Sequence, residues 1–517
     1  MIFFCNIISA HMARSFRPIA GCRYSSTKSD MQEFYKGKNI FITGSSGFMG
    51  KVLLEKILAS FPDVGHVYVL IRGKKNQTFS DRLQKLCSEP IFTKYKRVDA
   101  KNLSKIVGIE GHFGDHGLNI SEKDRKTLTE QVNIIFHVAA TVRFEERLDI
   151  PMKSIFIGTK SMLSLANDLK QLSSFVYVST AYSNSNLLMP DEKVYDMKTD
   201  GDTILSLYEH NTKEDVDKIV REKYFDGRPN TYCFTKAITE QYIQKYYRHL
   251  PVTIARPSAV AGALYEPEPG YCDSPGAISF GIIYQGLGVC RYFPFKEAAL
   301  VDIVPVDIAI NSLLIVAREV GLQAVPVTNV YNVSSTWHWP LTMKQVIDCK
   351  LKAFMRSPPA TALRPFSRRT TEVSQFEGKL INYFSEMLVA IITDTIAKIR
   401  GKNSRVVRLT RFTQSIRDEQ ADFFKKSWAF PRKNMDDAVA RLSERDRELF
   451  PAIPIVKCND EYFYRYWMSL REMVIGEKPD NIDEAHRQQK RLAIRLVALP
   501  FVTVTTFVMM ITGVYYF

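Results

Sequence analysis

The sequence predicts a doubly wound α/β protein, a parallel sheet with helices on both faces, extended by a helical C-terminal region and a membrane-spanning tail. Three observations lead there. Continuous Val/Ile/Phe runs alternate with helix-like stretches from residue 39 to residue 335, a glycine-rich loop joins the first run to the first helix, and the last 22 residues carry no charge. Strands without polar alternation are expected where both faces of a sheet are covered, and their alternation with helices describes repeated βαβ units.

The elements follow in order. NIFITG (39–44) reads as a strand and KVLLEKILASF (51–61) as a helix; HVYVLIR (66–72), KIVGIEG (105–111) and NIIFHVAA (133–140) are further strands, with a helix over 151–170 before SFVYVST (174–180). PVTIARP (251–257) and NVYNVSS (329–335) complete the strands, and the Pro/Gly-rich YEPEPGYCDSPGAISFG (265–281) between them reads as loop, where a substrate lobe would sit. Strand signals fade after about residue 345. Pro358, Pro359 and Pro365, with Arg364, Arg368 and Arg369, indicate a linker over 346–378, and helical patterns fill 379–476. Within these, LINYFSEMLVAIITDTIAKI (380–399) is apolar but interrupted by Glu386 and Asp394, as in a buried amphipathic helix or one that lies on a membrane or caps an apolar channel.

The two ends differ from the middle. Residues 1–30 are basic and hold no acid before Asp30, as in a mitochondrial presequence or a disordered extension. The uncharged run 496–517 is long enough to cross a bilayer, and Arg487, Lys490, Arg491 and Arg495 in the juxtamembrane segment 477–495 keep the preceding chain cytosolic. The net charge of +15 suits an anionic membrane surface or a phosphate-rich substrate, and no finger, basic-zipper or RNP-like run points to nucleic acid. The eight cysteines form no C-x-x-C pair, which argues against a metal site and against a disulfide framework.

Chemistry concentrates in two places. In GSSGFMG (44–50), Gly44 permits a tight turn, Gly47 lets the backbone approach a pyrophosphate, and Gly50 lets strand and helix pack, with Ser45, Ser46, Phe48 and Met49 between them. No G-K-[ST] follows, so a dinucleotide is favoured over ATP. Arg72, Lys74 and Lys75 end the second strand where an acid would favour NAD; cations there fit the 2′-phosphate of NADP. Downstream, Tyr232 and Lys236 lie four apart on one helical face, where an ammonium lowers a phenol toward usefulness as an acid. Ser179 and Thr180, at the end of a strand, offer a hydroxyl beside them.

Together GSSGFMGK, LIRGKK, FHVAATVRF, VSTAYSN, PNTYCFTK, RPS and DIVPVD, in this order, resemble the fatty acyl-CoA reductases, extended members of the short-chain dehydrogenase superfamily with a Rossmann sheet. The likeness covers about 34–335, and RLSERDRELFPA (441–452) and EYFYRYW (461–467) resemble that family's helical C-terminal domain, giving a reductase domain over 31–345. It implies that Thr180, Tyr232 and Lys236 are the catalytic triad, with Ser179 adjacent. It further implies that Ala139, Ala140 and Pro257 line the cofactor, and that NADPH reduces a long-chain acyl-CoA to the primary alcohol through an aldehyde. The expected location is a C-terminally anchored one in the endoplasmic reticulum or peroxisome, with mitochondrial targeting by the N-terminus as the alternative. Two alternatives share most of these residues: a membrane-bound sterol or aldehyde reductase, and a noncatalytic NADP-binding scaffold. The chain departs from the family pattern at His112, where an adenine-binding aspartate is common, and at Ile155, where an asparagine is frequent.

Overall fold

The computed structural model describes residues 29–73, 77–140, 147–367, 374–453, 460–478 and 482–494. The expectations for the extension up to residue 28, for Lys74 and Lys75, and for the tail from Arg495 onward lie outside the described residues.

Seven strands form one parallel sheet: β1 (Asn39–Thr43), β2 (Val67–Ile71), β3 (Ile106–Glu110), β4 (Val132–His137), β5 (Ser174–Val178), β6 (Val252–Pro257) and β7 (Asn329–Val333). Their spatial order is β7-β6-β5-β4-β1-β2-β3. The chain enters at β1, winds outward to β3, then returns to β4 and winds the other way. The reversal between β1 and β4 leaves a crevice at their carboxyl ends, the place where such sheets bind ligands.

The helices that matter for the site are α1 (Asp30–Tyr35), α2 (Phe48–Ser60), α3 (Gly158–Asp168), α4 (Thr231–Tyr246), α5 (Val306–Gly321), α6 (Met343–Arg356), α7 (Phe376–Ile399), α8 (Val406–Lys425) and α9 (Asp460–Ser469). Alternate residues of each strand feed two separate cores. Ile40, Ile42, Val69 and Val176 pack with Val52, Leu54 and Leu58 of α2 and Ile310 and Leu314 of α5. On the other face Phe41, Tyr68, Ile135 and Phe175 pack with Leu163 of α3 and Phe234 and Ile238 of α4.

The stretch around 265–281 closes over α2. Lys51 pairs with Asp273 at 2.5 Å and Lys56 with Glu266 at 2.6 Å, so the two buried cations of this helix find acids on the lobe above. Residues 277–281 of the expected loop are helical, the start of a helix that runs to Gly286.

The helical C-terminal region is not a separate appendage. Tyr462 donates to the Gly262 carbonyl at 2.8 Å, and Tyr466 shares a 2.6 Å hydrogen bond with Ser279, fixing α9 on the substrate lobe. Met435, Ala438 and Phe450 join the same core as Ile40. Asp446 binds the Ser29 hydroxyl and the Asp30 backbone N–H, so the last residues expected in the N-terminal extension are tied to the C-terminal helices. The expected linker also begins inside α6, where Val346, Ile347, Leu351 and Phe354 are buried and Phe354 meets Trp467 edge to face at 4.7 Å. Its prolines mark where that helix has already ended.

Candidate active site

Backbone crowding dictates the glycine loop. Gly44 has φ +78°, and a Cβ there would sit 2.8 Å from the Ala139 nitrogen; a Cβ at Gly50 would sit 2.1 Å from the Gly44 carbonyl oxygen. Gly44 and Gly50 therefore close the loop against β4 and against itself. Gly47 is exposed and forms the N-cap of α2 with no side chain to cap the free N–H groups of Phe48, Met49 and Gly50. Ser46 is exposed beside it, whereas Ser45 is buried and its hydroxyl has no partner in the protein. An uncapped helix start with an orphaned hydroxyl beside it is a fitting receptor for the pyrophosphate of a dinucleotide. Phe48 and Met49 are half-buried, packed between the sheet core and the substrate lobe.

Arg72 is exposed at the end of β2, its Nη1 3.1 Å from His112 Nε2. Its carbonyl accepts from the Arg82 guanidinium, whose pKa is held down by burial and by the Arg72 charge. Two neighbouring guanidiniums and an imidazole thus gather at the carboxyl end of β2. Ala139 and Ala140 are half-buried just after β4, with the Ala139 N–H 3.3 Å from the Thr43 hydroxyl, and Pro257 is buried at the end of β6 opposite Val333.

Asn230 starts α4 by accepting from the Cys233 N–H at 2.9 Å, which sets Tyr232, Lys236 and Glu240 on successive turns of one face. Burial pushes the Tyr232 phenol up, the neighbouring Cys233 adds to this, and a hydrogen bond with Thr180 opposes it. Lys236 is fully buried; its Nζ donates to the Val178 carbonyl at 2.6 Å and stands 6.0 Å from the Tyr232 ring centre. Burial lowers its pKa to about 7, against the pull of Glu240.

Ser179 and Thr180 diverge. The Ser179 hydroxyl donates to Glu240, which is also held by Arg256 at 2.6 Å, while the Arg256 guanidinium donates to the Asp191 and Lys193 carbonyls. Ser179 therefore fastens the strand to α4. Thr180 is the hydroxyl at the phenol, and it also accepts from the Tyr182 N–H at 3.3 Å. Behind them His137 lies between the Thr43 and Thr159 hydroxyls at 2.8 and 3.0 Å, and burial followed by the Lys236 charge lowers its pKa to about 3, so it stays neutral. Ile155 is buried in the π-helical segment Met152–Ile157 that packs against α4.

Comparison with known proteins adds what geometry alone leaves open. An NAD-binding family model described as "Male sterility protein" matches residues 42–313, and a second of that description, Sterile, matches 385–477. Fatty acyl-CoA reductase 1 of Xenopus laevis is 31% identical over 465 residues, 89% of this chain and 89% of that protein. Fatty acyl-CoA reductase 1 of Mus musculus is 32% identical over 470 residues, again 89% of each. The chain belongs to the fatty acyl-CoA reductase family. The terminal R domain from the myxalamid PKS-NRPS biosynthetic pathway shares the fold at TM-score 0.57 and 18% identity, covering 88% of this chain and 94% of that one.

Membership makes this protein a reductase with a nicotinamide dinucleotide as its cofactor class. Four residues of the candidate site were not singled out from the sequence. Glu240 was within reach, because Tyr232, Lys236 and Glu240 repeat at intervals of four; Arg256, Arg82 and His137 come from other elements and needed the fold. A small cavity lined by Gln285, Cys290, Tyr292, Ile347 and Lys350 lies between the substrate lobe and α6 and shares no lining residue with this group.

Proposed function

We propose that this reductase converts a long-chain acyl-CoA into the primary alcohol with two NADPH, releasing CoA and passing through an aldehyde. The observation that carries the reading is the hydrogen bond between Thr180 and Tyr232 at the same sheet edge as the uncapped GSSGFMG loop. The bound nicotinamide supplies hydride. Thr180 and Tyr232 point their hydroxyls at the substrate carbonyl oxygen, where negative charge develops and fixed donors contribute most. Collapse of the first adduct breaks the carbon–sulfur bond and expels the CoA thiolate; after the second reduction Tyr232 gives its proton to the alkoxide. Lys236 orients the cofactor ribose and, while protonated, draws the Tyr232 phenol down from the high value that burial imposes. Arg72 and Arg82 receive the 2′-phosphate, which favours NADPH over NADH. The acyl chain lies between 265–300 and the C-terminal helices, and the tail holds the enzyme on the endoplasmic reticulum or a peroxisome with its active site cytosolic.

The test incubates the membrane-bound full chain with NADPH and acyl-CoAs of graded length and counts cofactor against product. Two NADPH oxidised per alcohol is expected. Tyr232→Phe should lose about 10²- to 10⁴-fold in turnover with NADPH affinity retained. Alcohol formation at the unmutated rate by that variant would remove Tyr232 from the mechanism, and one NADPH per accumulated aldehyde would end the reading at a single reduction.

A further inference from the structure

Helix α7 is built inside out. Gly378, Asn382, Glu386, Ala390 and Asp394, spaced by four, face the protein: Glu386 pairs with the buried Arg417 at 3.0 Å and accepts the Arg291 N–H at 2.7 Å, and Asp394 accepts the Val406 and Val407 N–H groups at 3.0 Å. The apolar side faces outward. Phe376 is 71% exposed, Phe384 55%, Ile391 47% and Ile399 80%, on one continuous stripe with Leu380 and Leu388. Such a contiguous patch marks an interaction surface rather than an ordinary scatter of exposed apolar residues.

What covers it is indicated by charge. From Thr395 to Arg417 the chain holds no Asp or Glu. Six cations in that stretch, Lys398, Arg400, Lys402, Arg405, Arg408 and Arg411, are exposed, and none has an ion-pair partner among the described residues. A bilayer bearing anionic headgroups satisfies both halves of this surface at once: acyl chains take the stripe and headgroups take the cations. A second connection points the same way. Arg364 holds the Ser385 carbonyl of α7, and Gln489, in the helical segment that leads to the uncharged run 496–517, contacts the Pro359 carbonyl at 3.5 Å only five residues away. The helical segment 482–494 and α7 thus share one side of the molecule.

We propose that α7 lies in the interfacial plane of an anionic membrane, with its Phe376–Ile399 stripe among the acyl chains and the 398–411 cations on the headgroups. The helix is long and apolar enough to cross a bilayer. Crossing would drag Glu386 and Asp394 away from their partners and into hydrocarbon, which ionised groups resist. This placement stands apart from the catalytic reading, since it concerns a surface and not the hydride site.

The test places one tryptophan on the stripe, Phe384→Trp, in the full chain reconstituted into phosphatidylcholine/phosphatidylserine vesicles containing brominated lipid. Trp339, Trp428 and Trp467 are buried and Trp337 half-buried, so the unmutated chain gives the background. Quenching of the new tryptophan by bromines near the headgroup is expected, with none at Leu322→Trp, an exposed site just past the end of α5. Changing Arg400, Arg405 and Arg408 together to Gln should lower docking about a hundredfold and abolish the quenching. Stronger quenching by bromines near the bilayer centre would mean a span and overturn the proposal. So would a tryptophan quenched only by aqueous iodide, or one whose emission changes with protein concentration, as packing against a second copy would produce.

Discussion

Lys236 carries the sharpest cost at the scale of single residues. It is a buried amine held by one backbone carbonyl, and Glu240, the acid that favours its charged form, is already claimed by Arg256. Its pKa falls from 10.5 to about 7 because burial penalises the charged form. Between about 7 and 10.5 the unfolded lysine holds a proton that the folded one has lost, so the unfolded state binds more protons and stability rises with pH across that window. Lys236→Met should flatten this rise. Thermal unfolding of the cofactor-free chain in detergent, measured from pH 6.5 to 10.5 for both proteins, checks it; parallel profiles would mean that the buried amine stays charged. The same residue shows what spacing can and cannot reveal. Four-residue intervals place Tyr232, Lys236 and Glu240 on one face, but the choice between Ser179 and Thr180 turns on Arg256, sixteen residues beyond Glu240 and on a different strand.

At the scale of elements, the strands were legible because burial on both faces writes them as unbroken apolar runs; all seven lie within the expected segments or one residue outside them. The C-terminal region was less so. A helical period tells which residues share a face, not which face meets protein, and α7 inverts the usual arrangement by giving its polar side to Arg417 and the Arg291 backbone. Prolines likewise advertised a linker while α6, with its apolar face under α9, had no such marker. The Glu386–Arg417 pair is the joint on which α7 hangs. Both side chains are nearly free of solvent contact, so Glu386→Ala leaves Arg417 buried and uncompensated, a loss of about 3–5 kcal/mol. The expected result is a lower melting temperature and rapid protease cleavage between 374 and 405, with recovery in the double variant Glu386→Met/Arg417→Met. A double variant as labile as the single one would show that the backbone bonds to Glu386, not the ion pair, hold the helix.

The whole molecule interlocks its halves. Asp446 grips the residues that precede β1, Arg432 bonds the Ser334 and Ala452 carbonyls, and α9 packs on the substrate lobe, so the sheet and the helical region are joined at several points. On the two proposals above, a body of this kind with a surplus of +15 would hold a membrane by two means, which salt separates. Insertion of the 496–517 run depends on apolar area and ignores ionic strength, whereas attraction of the 398–411 cations to headgroups is screened: at about 0.5 M salt the screening length shrinks to roughly 4 Å. Deleting 495–517 should therefore yield a protein that leaves phosphatidylcholine vesicles but still sediments with vesicles rich in phosphatidylserine, and that 0.5 M salt releases, while the full chain stays bound to both. Equal sedimentation of the truncated chain with neutral and anionic vesicles would assign the residual binding to the apolar stripe alone. Free solubility in the presence of either would place all membrane attachment in the tail.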